Sequence, residues 1–142
     1  MKGFALIELF LVIIIIVFLA GLALPLSLDF YRGQQLETQC QGLVQNLRWA
    51  QLKAMTGELD SNYGLYFQDN SYTFFKGSSY SLRDQAYDMI FDLPLAIDLS
   101  GISEIVFLKV AGSPSVTGLV VLTAGNLSCS VIVNEIGRVS LQ

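Results

Sequence analysis

The run from Leu9 to Leu26 constrains this chain more than any other feature: 18 residues without a charged or polar side chain. A stretch of that length, wound as a helix, matches the hydrocarbon core of a bilayer, and water is a poor environment for it. A single carboxylate, Glu8, stands at its start. Placing an ionisable group in a membrane segment costs about 2.5–3.5 kcal/mol on insertion scales, so a chain that keeps one is expected to pair it. Lys2 precedes the run. Positive charge on that side orients the N-terminus toward the cytoplasm and everything after residue 28 to the other side of the cytoplasmic membrane. A cleaved secretory signal is the plainer alternative, with Ala20-Gly21-Leu22-Ala23 as its small-residue site. Such signals have shorter apolar cores, of about 7–15 residues, and no early glutamate.

The remaining residues, 29–142, are enough for one small domain with its own core. The chain is acidic, with 8 Lys+Arg against 12 Asp+Glu and a net charge of −4. That balance does not suit nucleic acid. Histidine is absent, which excludes Ser-His-Asp catalysis and removes the commonest metal ligand.

Leu36, Cys40, Leu43, Leu47, Ala50 and Ala54 step by four and three residues, the spacing of one apolar helix stripe. The helix is therefore expected to run from about residue 4 to about residue 56, with Gly57 as its stop. Gly21 and Pro25 are its expected break, because proline removes the hydrogen bond to the residue-21 carbonyl. After Gly57 the period changes to two. Tyr63–Gln68 and Ser71–Lys76 flank Asp69-Asn70 as a hairpin. Residues 77–86 read as a polar loop. Further strands are expected at 87–91, 95–99, 104–110, 119–123, 129–134 and 138–141, the last pair closing over Asn134–Gly137. The fold class is α+β: one long helix followed by antiparallel strands packed against it.

Cys40 lies on the helix stripe, and Cys129 shares a strand face with Leu127, Val131 and Val133. They are either a disulfide, which an extracytoplasmic domain permits, or two buried small hydrophobes. Asp84, Asp88 and Asp92 step by four, as metal ligands on a helix would, but solvated loop and edge charges are the better reading. Gly112, Gly118 and Gly125 are turn residues without a phosphate loop around them. No catalytic, cofactor-binding or metal-binding residue is expected, and no enzyme activity.

Gly3-Phe4-Ala5-Leu6-Ile7-Glu8, the apolar run and Pro25 together resemble the N-terminal signal of type IV prepilins and type II secretion pseudopilins. The resemblance implies that a prepilin peptidase cuts between Gly3 and Phe4 and N-methylates Phe4. It implies that residues 1–3 are a leader, that residues 4–28 form the membrane and filament-core helix, and that residues 29–142 form the extracytoplasmic domain. It implies pairing of Glu8 with the Phe4 amine of a neighbouring subunit, and partnership with other pilins, an inner-membrane assembly platform and membrane lipid. Tyr63-Gly64-Leu65-Tyr66-Phe67, the aromatic hairpin to Gly77, and Ile136-Gly137-Arg138-Val139 are similar to H-type minor pseudopilins and related minor pilins. The calcium loop and Asp-Pro-Trp-Gly motif of the major pseudopilin are missing. Some competence relatives bind DNA through clustered basic residues near the C-terminus; here Arg138 stands alone, which does not favour DNA. The alternative from another class is a single-pass anchor with an extracytoplasmic ligand-binding domain, using Tyr63, Tyr66, Tyr72 and Tyr80 as an exposed surface.

Overall fold

The computed structural model describes the backbone of residues 2–142, and the side chains of residues 6–21 and 29–142. One helix, α1, runs from Lys2 to Met55. Eight strands follow: β1 Tyr63–Gln68, β2 Ser71–Lys76, β3 Met89–Asp92, β4 Asp98–Gly101, β5 Glu104–Phe107, β6 Gly118–Ala124, β7 Leu127–Val133 and β8 Val139–Leu141. The chain divides into two compact units, Met1–Gln34 and Gln35–Gln142. The second begins where the helix acquires its first buried side chain, Leu36, rather than at residue 29.

Within the second unit every residue of the expected helix stripe is buried, and Val44 joins it. The stripe packs with two antiparallel four-stranded sheets, ordered β3-β2-β1-β5 and β4-β6-β7-β8. The first sheet contributes Tyr63, Leu65, Phe67, Tyr72, Phe74, Ile105 and Phe107, and the second Val120, Leu122, Val131, Val133 and Val139. These are alternate positions along each strand, which is why the period-two pattern was readable. Trp49 stacks on Phe74 with centroids 4.4 Å apart. Gly57 stops the helix in the left-handed region, at φ 66°, where glycine carries no Cβ penalty. Its amide and that of Val110 both donate to the Ala54 carbonyl, at 3.1 and 2.8 Å, satisfying an orphan acceptor of the last turn.

Several expected boundaries shift for local reasons. The strand expected at 87–91 is Met89–Asp92, because Gln85–Tyr87 winds into a 3₁₀ turn. The strand expected at 95–99 begins at Asp98, since Ile97 closes a turn back onto the Pro94 carbonyl. β5 ends at Phe107, where the Gly112 amide bonds back to Leu108. The polar segment 77–86 is folded: Asp84 N bonds the Lys76 carbonyl, and Tyr80 N bonds the Glu104 carboxylate at 3.1 Å. It covers the outer face of the first sheet, where Phe75 and Val106 are buried. Gly64 allows this, since a Cβ there would meet the Phe75 ring at 2.8 Å.

α1 stays helical through Gly21 and Pro25, so neither position ends it. A proline in a helix deletes one i→i−4 bond, and the turns before and after it retain theirs. The Pro25 side chain lies outside the described residues.

Candidate functional site: an exposed apolar helix and its carboxylate

Residues 6–21 form an unbroken helical stretch whose side chains are all exposed. Leu6, Phe18 and Val17 are about two-thirds exposed or more, and even Val12, the least exposed large one, is 45% exposed. The large apolar side chains surround the helix instead of forming a stripe, so no single sheet could cover them. Glu8 is exposed among them, without an ion pair among the described residues. Gly3 and Phe4, the expected cleavage and methylation positions, have side chains outside the described residues. Among the described residues no helix is long and apolar enough to cross a membrane. The expected span over 4–28 is therefore not shown: its described part ends at Gly21, short of the roughly 20 residues a bilayer core requires.

In the second unit Cys40 and Cys129 are joined as a disulfide, Cα atoms 6.7 Å apart. It ties the helix stripe to β7. Of the three aspartates at four-residue spacing, Asp84 caps the 3₁₀ turn by accepting from Ala86 N and pairs with Lys76. Asp88 pairs with Arg83 at 2.8 Å, which holds the guanidinium pKa above its ordinary value. Asp92 ends β3 with no ion pair among the described residues. No cluster of carboxylates and thiols arranged to hold a metal occurs among the described residues.

The expected tyrosine surface needs correction. Tyr63 and Tyr72 are core residues, because their strand positions face the helix. Tyr72 accepts a hydrogen bond from Asn46 Nδ2 at 2.9 Å, and burial raises its phenol pKa. Tyr66 and Tyr80 stack on each other, centroids 3.8 Å apart, and Arg83 covers the other face of Tyr80 at 3.7 Å. This ladder fastens the 77–88 loop and leaves no broad aromatic surface. Arg138 is exposed, and its amide donates to Asn134 Oδ1 in the last turn.

Sheet edges are where sequence reasoning missed most. Ser115 caps β5 twice, its amide donating to the Val106 carbonyl and its hydroxyl accepting from Val106 N. Arg48 of α1 donates to the Val139 carbonyl of β8 at 3.2 Å. Neither contact has a local signal, since Arg48 and Val139 are 91 positions apart.

No family model matches this chain, and no curated protein matches it. Its structure is similar to that of the minor pseudopilin EpsH from the type 2 secretion system of Vibrio cholerae, with a TM-score of 0.60 and 11% sequence identity. The likeness covers 76% of this chain and 96% of that one, and at that identity it establishes that the α+β fold is pseudopilin-like.

Proposed function

We propose that this chain is a minor pilin or pseudopilin, a structural subunit of a type II secretion or type IV pilus-like filament and not an enzyme. The observation that carries the reading is the apolar helical stretch 6–21, exposed on all sides with Glu8 at its start, in a chain with a pseudopilin-like fold. Such a surface is stable only in lipid or against other helices. In this reading the precursor sits in the cytoplasmic membrane with its N-terminus inside. The prepilin peptidase removes residues 1–3 and methylates Phe4, and the assembly platform then moves the subunit from lipid into the filament. Glu8 supplies the direction. A carboxylate among apolar helices is costly alone and stabilised beside the terminal amine of an adjacent subunit, so joining the filament relieves its cost.

Two measurements test this. The intact mass of membrane-extracted protein should correspond to a chain beginning at N-methyl-Phe4; retention of residues 1–3 in cells with active peptidase counts against processing. Glu8→Leu should insert at least as well as the wild type and keep the fold of residues 35–142. It should nevertheless be poorly recovered in sheared filaments or in cross-links to other pilins at equal membrane levels. Equal recovery of mutant and wild type would rule out Glu8 as the assembly contact.

A further inference from the structure

The edges of the two sheets are treated differently, and β3 is the one that combines open backbone groups with large exposed apolar side chains. The order β3-β2-β1-β5 makes β3 and β5 the edges of the first sheet. In an antiparallel ladder, residues alternate between bonding their neighbour and pointing their N–H and C=O away from it. The Leu93 amide donates to the Asn70 carbonyl at 2.8 Å. Counting back along the register Ser71↔Asp92, Tyr72↔Phe91, Thr73↔Ile90, Phe74↔Met89, Phe91 and Met89 bond β2. Ile90 and Asp92 therefore turn their backbone groups outward. The same count turns Val106 of β5, Val139 of β8, and Leu99 and Gly101 of β4 outward. Ser115 satisfies Val106 and Arg48 the Val139 carbonyl, while β4 is open but carries no large exposed apolar side chain. Among the described residues nothing satisfies Ile90 or Asp92.

The side chains around this edge are unusual for a surface in water. Ile90 is 67% exposed, and Leu82, Tyr87, Met89 and Leu95 are exposed near it in sequence. β3 itself carries no lysine or proline, the residues that commonly guard an open edge. Its charge is acidic: Asp92 has no ion pair among the described residues, while Asp88 is paired with Arg83.

We infer that β3 is a docking edge for an extended segment of another protein, which adds to the sheet as a fifth strand with an apolar side chain over Ile90 and a basic one beside Asp92. Backbone pairing at Ile90 and Asp92 supplies the affinity, and the alternating side chains supply the selection. A second copy of this chain is the wrong occupant. Antiparallel self-pairing through the outward residues sets Ile90 opposite Ile90 with Asp92 opposite Asp88, or Ile90 opposite Asp92, or Asp92 opposite Asp92. No register sets a basic residue of β3 opposite Asp92, because β3 carries none, and carboxylates directly opposite one another are destabilising. The inference does not depend on Glu8 or on filament assembly.

The test uses the full chain in non-ionic detergent and two synthetic octapeptides, one alternating valine with lysine and the other valine with glutamate. The basic peptide should bind and slow hydrogen exchange at the Ile90 and Asp92 amides, while the acidic peptide leaves them unchanged. Ile90→Pro deletes only an outward donor, so the ladder to β2 survives, and binding of the basic peptide should fall about tenfold or more. Trp49 fluorescence reports whether this variant keeps its fold. Asp92→Lys alters an exposed side chain and should reverse the preference between the two peptides. The inference is overturned if neither peptide protects Ile90 and Asp92, if folded Ile90→Pro binds like the wild type, or if Asp92→Lys leaves the preference unchanged. It is equally overturned if the same amides become protected at high protein concentration without peptide, since the occupant would then be a second copy.

Discussion

The two halves of α1 have the same secondary structure and opposite environments. From Leu36 to Ala54 the helix buries one stripe, with Cys40, Leu43, Leu47, Ala50 and Ala54 each at 0% exposure. From Leu6 to Leu19 every large apolar side chain is exposed. The difference lies in the angular distribution of apolar residues. A stripe of about 100° can be covered by sheets from the same chain, and polar residues then face water. A helix that is apolar all round demands a surrounding solvent or bundle that one small domain cannot supply. The second half thus takes its stability from the fold, and the described side chains of the first half have no such cover.

The sharpest way to break this comparison is to cut the link between the second half and its sheet. The Cys40–Cys129 disulfide closes a loop with a sequence separation of 89, which the chain-entropy account values at about 4.6 kcal/mol. Replacing both cysteines by alanine should lower the stability of residues 35–142 by that order in denaturant titrations. Trp49, the only tryptophan, lies in this half of the helix and reports the transition. An unchanged midpoint would mean that the bond contributes nothing to the domain. Next in size is a matched pair of truncations. Leu47→Ala removes a fully buried side chain and should cost about 2–5 kcal/mol. Ile14→Ala removes an exposed one and should leave the same transition within about 0.5 kcal/mol. If Ile14→Ala destabilised the domain as strongly, the two halves would not be energetically separate.

A glycine pair sharpens the point at smaller scale. At Gly64 a Cβ would press on the Phe75 ring and the Ile105 backbone, whereas at Gly21 nothing lies within 4 Å. Gly64→Ala should therefore cost about 1–3 kcal/mol through overpacking. Gly21→Ala should favour its helix by about 1 kcal/mol, seen as slower amide exchange around residue 21.

Legibility in the sequence followed the same division. The helix stripe, the first hairpin and the β6–β7 pair carry regular period-3.6 or period-2 patterns, because one side of each element is buried and the other is not. The Tyr63–Gln68 and Ser71–Lys76 boundaries were readable for that reason. β4 and β3 were misplaced by a few residues, since short edge strands have weak alternation and their ends are set by turns such as Pro94–Ile97. Tyr63 and Tyr72 were misjudged because a tyrosine carries a polar handle on a large apolar ring, and only the strand phase decides which end dominates. The contacts that close sheet edges, Arg48 to Val139 and Ser115 to Val106, join residues with no shared pattern. Glu8 was legible by contrast with its neighbours, and it makes no ion pair among the described residues.

The smallest expected effect tests whether the second half of the helix is held by polar contacts as well as by burial. Asn46 Nδ2 donates to the Tyr72 hydroxyl at 2.9 Å across the helix–sheet interface. Asn46→Ala should cost about 1 kcal/mol, the usual net value of such a bond. The pH dependence distinguishes this bond from a simple loss of volume. Burial is the main cause raising the Tyr72 pKa above 10.0, and the Asn46 bond works against it by favouring the phenolate. A raised pKa means that the folded state holds the proton more tightly than the unfolded chain. The associated stability is fully present below pH 10 and is lost as pH rises through the folded value. Tyr72→Phe should therefore show a shallower loss of stability above pH 10 than the wild type, with the remaining slope due partly to Tyr63, whose pKa burial also raises. Asn46→Ala should extend the loss to higher pH, because the group that lowered the pKa is gone. Between pH 7 and 9 all three proteins should run parallel. Residues 9–26 carry no ionisable side chain, so they cannot contribute to this slope. Identical alkaline slopes for the wild type and Tyr72→Phe would mean that the phenol is open to water, and that the interface around it is looser than the buried stripe beside it.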